Sequence, residues 1–215
     1  MIDQIDYNRI MEMYKDRFKE AGDFTFLFVG NINLEEAKPF IETYLGGLPT
    51  INRKENFKDI KMDIRKGAHK NVFEKQMETP KATVFSVISG NCKFTPKNNL
   101  LMSMFSQIMD MVYIETIREK EGASYGVTTY GEMSCYPKEE AIFQIIFDTD
   151  PAKREKMEQI VMAELQKVAK EGPRPEHLAK VKEYMLKKHL ENVKENSYWV
   201  NQLLEYYFNN IDLYT

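Results

Sequence analysis

Apolar side chains recur along this sequence in two rhythms. Over residues 4–20, Tyr7, Ile10, Tyr14 and Phe18 fall three and four apart, the spacing of one helical face, and Ala21-Gly22-Asp23 ends the helix. Phe24-Thr25-Phe26-Leu27-Phe28-Val29 is a continuous aromatic and β-branched run, too short for a helix, and predicts a strand buried on both faces. Gly30-Asn31-Ile32-Asn33 predicts a turn. Asn33 is the expected N-cap of a helix with Leu34, Ala37, Ile41 and Leu45 as its core stripe, closed by Gly46-Gly47.

Residues 48–69 are polar and aperiodic, a connecting loop. Strand-like runs near 71–77 and 82–89 flank Glu78-Thr79-Pro80-Lys81, which predicts a hairpin or an adjacent pair. The longest helical pattern is 97–118, with Leu101, Met104, Phe105, Ile108, Met109 and Val112 inward, the methionines as core filler. Two more strands, 125–133 and 140–147, are followed by helices over about 152–171, from Pro175 to about Lys194, and from Ser197 onward. The expected fold is therefore α+β: a mostly antiparallel sheet of about five strands with helices packed on one face, in one domain spanning 1–215.

Composition removes several functions. The 30 basic and 33 acidic residues are spread along the chain and sum to a formal charge of −3, against a nucleic-acid partner, which selects a basic excess on one face. No apolar run approaches the ~20 residues of a membrane helix, so no membrane partner is expected. The amino terminus lacks a basic start followed by an apolar segment, so it does not read as a signal peptide. Cys92 and Cys135 belong to no CxxC and read as two thiols.

Candidate chemistry is sparse. His177 and His189 lie on one predicted helix, twelve residues or roughly 18 Å of axis apart, too far to share an ion. His189, in line with Val181 and Met185, is the expected packing histidine. Neither HExxH nor HxxEH occurs, so no metal site is expected in this chain. There is no GxSxG, and one glycine at the Gly30 turn falls short of a nucleotide-binding fingerprint.

What remains is Ile117-Arg118-Glu119-Lys120-Glu121-Gly122-Ala123-Ser124-Tyr125-Gly126-Val127, where a helix pattern gives way to a strand pattern around Gly122. A guanidinium offers five fixed donors for carbonyls or carboxylates, and a phenol can donate to a developing oxyanion. On spacing alone the plainer reading is favoured, in which Arg118 pairs with a nearby glutamate and Tyr125 is an ordinary strand aromatic.

Two segments in order shift that balance. Phe24–Pro49 (FTFLFVGNINLEEAKPFIETYLGGLP) resembles the strand–turn–helix segment of the insulinase/pitrilysin family of inverted-zincin peptidases. IREKEGASYGV resembles that family's LRxxxGxxY element, and the intervening elements extend the likeness over nearly the whole chain. Asn31 stands where an aspartate is common, a departure bearing on capping. The family pairs a zinc-holding half with a half lacking HxxEH, and this chain resembles the first domain of the latter, an excerpt of a longer peptidase.

The resemblance implies that Arg118 binds substrate backbone, and that Tyr125 binds substrate and stabilises the tetrahedral oxyanion. No cofactor is implied in this chain, zinc belonging to the catalytic half of the parent protein. The implied partners are that zinc-binding half and a peptide substrate, with a homodimer of the isolated domain as a further expectation. A bacterial periplasmic location is the family's suggestion. The competing expectation is a catalytically inactive structural or interaction domain, like those of processing-peptidase relatives and respiratory-complex core subunits.

Overall fold

The strand-like runs at 82–89, 125–133 and 140–147 become three antiparallel strands in the computed structural model, which describes residues 2–120 and 124–211 and leaves out the side chains of Asp3, 118–120 and 124–125. The strands are β1 (Ala82–Asn91), β2 (Ser124–Ser134) and β3 (Glu140–Thr149), in the order β1-β3-β2. The helices are α1 (Tyr7–Phe18), α2 (Leu34–Tyr44), α3 (Pro96–Tyr113), α4 (Arg154–Glu171), α5 (Pro175–Asn192) and α6 (Asn196–Asn209). The α+β class and the antiparallel sheet agree with the sequence expectation, while the strand count among the described residues is three, not about five.

The two missing strands have a shared cause. β-Propensity selects extended backbone, but a ladder needs a partner, and neither segment is assigned one. Residues 24–29 take no regular structure, and Phe24 instead meets Phe18 and Phe26 edge-on, with ring centroids 5.7 Å and 6.1 Å apart. In 71–77, Val72 and Phe73 are neighbours that would point to opposite faces of a strand, so no single apolar face specifies a register, and both stay exposed.

Chain contacts divide the molecule into two units, one of residues up to Lys58 with those from Glu191 on, the other Asp59–Leu190. The first unit holds α1, α2 and α6. The Asn33 cap forms as expected, its side-chain oxygen accepting from the amides of Glu35 at 3.1 Å and Glu36 at 3.5 Å. The expected core stripes do not: Tyr7, Ile10, Tyr14 and Phe18 on α1, and Leu34 and Ile41 on α2, are exposed.

The second unit contains the core. Val84, Val127, Phe143, Ile145 and Phe147 on one sheet face pack with Ile108, Met109, Val112, Met157, Val161 and Val181 from α3, α4 and α5. Leu101, expected inward on α3, is half exposed at the helix's first turns. The opposite sheet face presents Phe85, Val87, Tyr130 and Ile146 to solvent, with Phe85, Ile146 and Thr128 in register.

α3 sits close on β2. A Cβ at Gly131 would lie 2.5 Å from Ser106 Oγ and 2.6 Å from Met102 Sδ, so only glycine fits this crossing without displacement. Phe105 and Phe143 stack nearby, centroids 4.8 Å apart. At the far end of α3, the fully buried Tyr113 donates its hydroxyl to Val161 O at 3.1 Å, and burial, helped by the charge of Glu164, raises its pKa.

Candidate functional site

The junction between α3 and β2 is built from an irregular helix end and an irregular strand start. Beyond Tyr113 the helix widens into a π-helical segment, Ile114–Lys120, which carries Arg118. Such windings are rare and recur at functional sites. Ile117, fully buried, fixes one side of the segment in the core. On the strand side, Ser124 pairs with Thr149 but Val127 pairs with Phe147, so β2 advances three residues where β3 advances two. That extra residue is a bulge containing Tyr125 and Gly126, a device that re-aims a strand and recurs beside active sites.

Of the two residues singled out by sequence, the backbone thus places Arg118 in the π-helical segment and Tyr125 in the bulge. Their side chains, and Gly122 where the sequence predicts a turn, lie outside the described residues.

A charged cluster at this junction was not anticipated. Glu115, three residues before Arg118, receives a hydrogen bond from Arg174 at Oε2. Its Oε1 lies 2.9 Å from His177 Nε2, and Arg174 Nη2 lies 2.9 Å from the same nitrogen. Arg174 immediately precedes α5, and its carbonyl accepts from the amides of His177 at 3.0 Å and Leu178 at 3.1 Å. The Glu115 carboxylate therefore meets the positive end of the α5 dipole as well as a guanidinium. Its pKa is lowered, first by the Arg174 hydrogen bond and then by His177. His177 is completely buried, and its Nδ1 has no hydrogen-bond partner among the described residues.

The histidines correct the sequence expectation. The buried one is His177, at the start of α5, while His189 is exposed. His69 is exposed and sits 2.7 Å from Lys66 O through Nε2. Among the described residues no group of three or more His, Cys, Asp or Glu side chains could hold a metal ion, so these residues do not fit a zinc site.

Elsewhere, the buried carboxylate of Glu20 accepts from Thr50 Oγ1 (2.5 Å) and from the amides of Arg53 (2.7 Å), Ile51 (2.8 Å) and Gly22 (2.9 Å). These donors, the Thr50 hydroxyl foremost, hold its pKa at about 2. With every donor supplied by the chain itself, Glu20 pins a loop and is not poised for chemistry. A groove of about 510 Å³ lined by Phe28, Ile32, Leu34, Phe40 and Ile41 holds no titratable side chain.

The chain belongs to the peptidase M16 family: the sequence model of the peptidase M16 inactive domain matches residues 4–185. The zinc protease PQQL-like of Arabidopsis thaliana is 22% identical over 222 residues, 95% of this chain and 23% of that protein. The probable zinc protease PqqL of Haemophilus influenzae is 22% identical over 168 residues, 78% of this chain and 18% of that protein. The crystal structure of the periplasmic protease PqqL from Escherichia coli superposes with a TM-score of 0.67 at 14% identity, over 82% of this chain and 19% of that one, which shows the shared fold. The chain thus spans about a fifth of the length of the curated relatives it matches.

Proposed function

We propose that this chain is a single domain, 1–215, of the non-metal-binding half of a zinc metalloendopeptidase, and that it binds peptide substrate and completes the active-site chamber. The observation that carries the reading is the junction itself. A π-helical segment bearing Arg118 leads to a bulged strand bearing Tyr125, in a chain of the M16 inactive-domain type. The sheet adjoining that junction also leaves Phe85, Val87, Tyr130 and Ile146 exposed on the face opposite its core, a surface suited to an extended peptide.

In this reading Arg118 holds substrate backbone carbonyls through its fixed donors, and Tyr125 donates to the oxyanion that forms on the attacked carbonyl. In the same reading the zinc is held by the partner half of the protein; among the described residues here no His, Cys, Asp or Glu group could hold a metal ion. A periplasmic setting is proposed by analogy with the Escherichia coli relative.

The test is peptidase activity of the full-length parent protein, with Arg118→Ala and Tyr125→Phe measured on a quenched-fluorescence peptide. Loss of activity with retained folding supports the reading. Undiminished activity of both variants leaves the chain as a structural domain.

A further inference from the structure

The Glu115–Arg174–His177 cluster has a geometry that the proposed function does not by itself require. Glu115 is one-third exposed, yet both its oxygens are committed, one to Arg174 and one to the fully buried His177. The Nε2–H tautomer of His177 is the one that satisfies Glu115 Oε1, and it leaves Nδ1 as a buried lone pair rather than a buried N–H. An orphaned ring nitrogen and a guanidinium crowded on the same Nε2 are costly arrangements to keep. What they accomplish is a clamp between the start of α5 and the π-helical segment.

That segment needs one. It is seven residues long in a winding rarely sustained beyond a single turn, and the residues after it must hand over to β2 within a few positions. Ile117 secures its inner side in the core, and among the segment's described side chains Glu115 is the one that ties it to α5 by hydrogen bonds. Arg118 follows Glu115 by three positions and Ile117 by one. Any rotation of the segment about its axis would move Arg118 with it.

We propose that Glu115, clamped by Arg174 and His177, is a positioning residue that fixes the winding of Ile114–Lys120 and thereby the hold of Arg118 on the peptide substrate; this rests on the substrate-binding reading of Arg118. Glu115 touches no substrate and works through Arg118. Its removal is expected to weaken ground-state and transition-state binding alike, which raises KM and leaves kcat nearly unchanged.

The experiment uses the full-length parent protein and a quenched-fluorescence peptide, with Glu115→Ala, Arg118→Ala and the double variant. Glu115→Gln keeps side-chain volume and serves where the alanine variant fails to fold. Glu115→Ala is expected to raise KM about tenfold, the scale of one charge-assisted hydrogen bond, with kcat within about twofold. In the Arg118→Ala background the same change is expected to add nothing, because the two act as one unit. An unmoved KM, an effect that simply adds to that of Arg118→Ala, or a joint fall of kcat and melting temperature without a KM change would each overturn the positioning role. A KM unmoved by Arg118→Ala alone removes the substrate-binding reading itself, and this inference with it.

Discussion

Asp110 on α3 accepts two hydrogen bonds from one residue of β2, the amide of Thr129 at 2.8 Å and its hydroxyl at 2.9 Å. Thr129 lies on the strand's helix-facing side and is buried, and its hydroxyl also lies 3.0 Å from Ser106 O. An edge strand ordinarily leaves such an amide to water or to a neighbouring chain. Here a helical carboxylate takes it, which ties α3 to β2 four residues before the π-helical segment begins.

Removing that acceptor leaves a buried amide unpaired and weakens the hydroxyl's arrangement. Asp110→Ala is expected to destabilise the chain by about 2 kcal/mol. Asp110→Asn, which keeps an acceptor oxygen, should cost less. Urea unfolding with the slope held common to all three proteins gives the comparison, and equal midpoints for Ala and wild type would refute the argument.

The crossing of α3 over β2 makes a second prediction. Gly131→Ala brings a methyl to 2.5 Å from Ser106 Oγ and 2.6 Å from Met102 Sδ, so the helix must shift or the side chains must leave their rotamers. Overpacking of this kind costs about 1–3 kcal/mol. Pairing it with Met102→Ala should recover part of the loss if the clash is the cause. Strictly additive effects in the double variant would point elsewhere.

How much of this was legible in the sequence depends on the range of the interaction responsible. The six helices and three of the strands were, because periodicity and local caps such as Asn33 act within a few residues. The strands expected at 24–29 and 71–77 were not, because propensity says nothing about whether a partner strand is available. The junction was located through Arg118 and Tyr125, but its π winding and bulge leave no local signature. Glu115 gave no signal either, since its partners are 59 and 62 residues away. The packing expectation for His189 extends the Val181, Met185 line past the point where α5 leaves the core.

Glu20 predicts a pH dependence. Its folded pKa is depressed from 4.5 to about 2, so the unfolded chain binds its proton more readily than the folded one. The stabilisation is therefore complete above about pH 4.5 and is lost as pH falls toward 2. Glu20→Gln should melt below wild type at neutral pH, and the gap should close across that window. Melting curves of both proteins from pH 7 to pH 2 provide the check, and a gap constant over that range would show that the carboxylate's charge is not what the four donors hold.

The roles proposed for Arg118 and Tyr125 predict contrasting kinetics. An oxyanion donor acts where charge develops, so under the proposed role Tyr125→Phe in the full-length protein should reduce kcat by roughly 10²–10³ with little change in KM. Under its proposed role of holding backbone carbonyls in substrate and transition state alike, Arg118 should show the opposite pattern on replacement, a raised KM at nearly constant kcat. Steady-state kinetics on one peptide separates them, provided zinc content stays at the wild-type value in each variant. If both changes instead fell on KM, Tyr125 would be a second binding group, and the oxyanion role would pass to another residue of the assembled chamber.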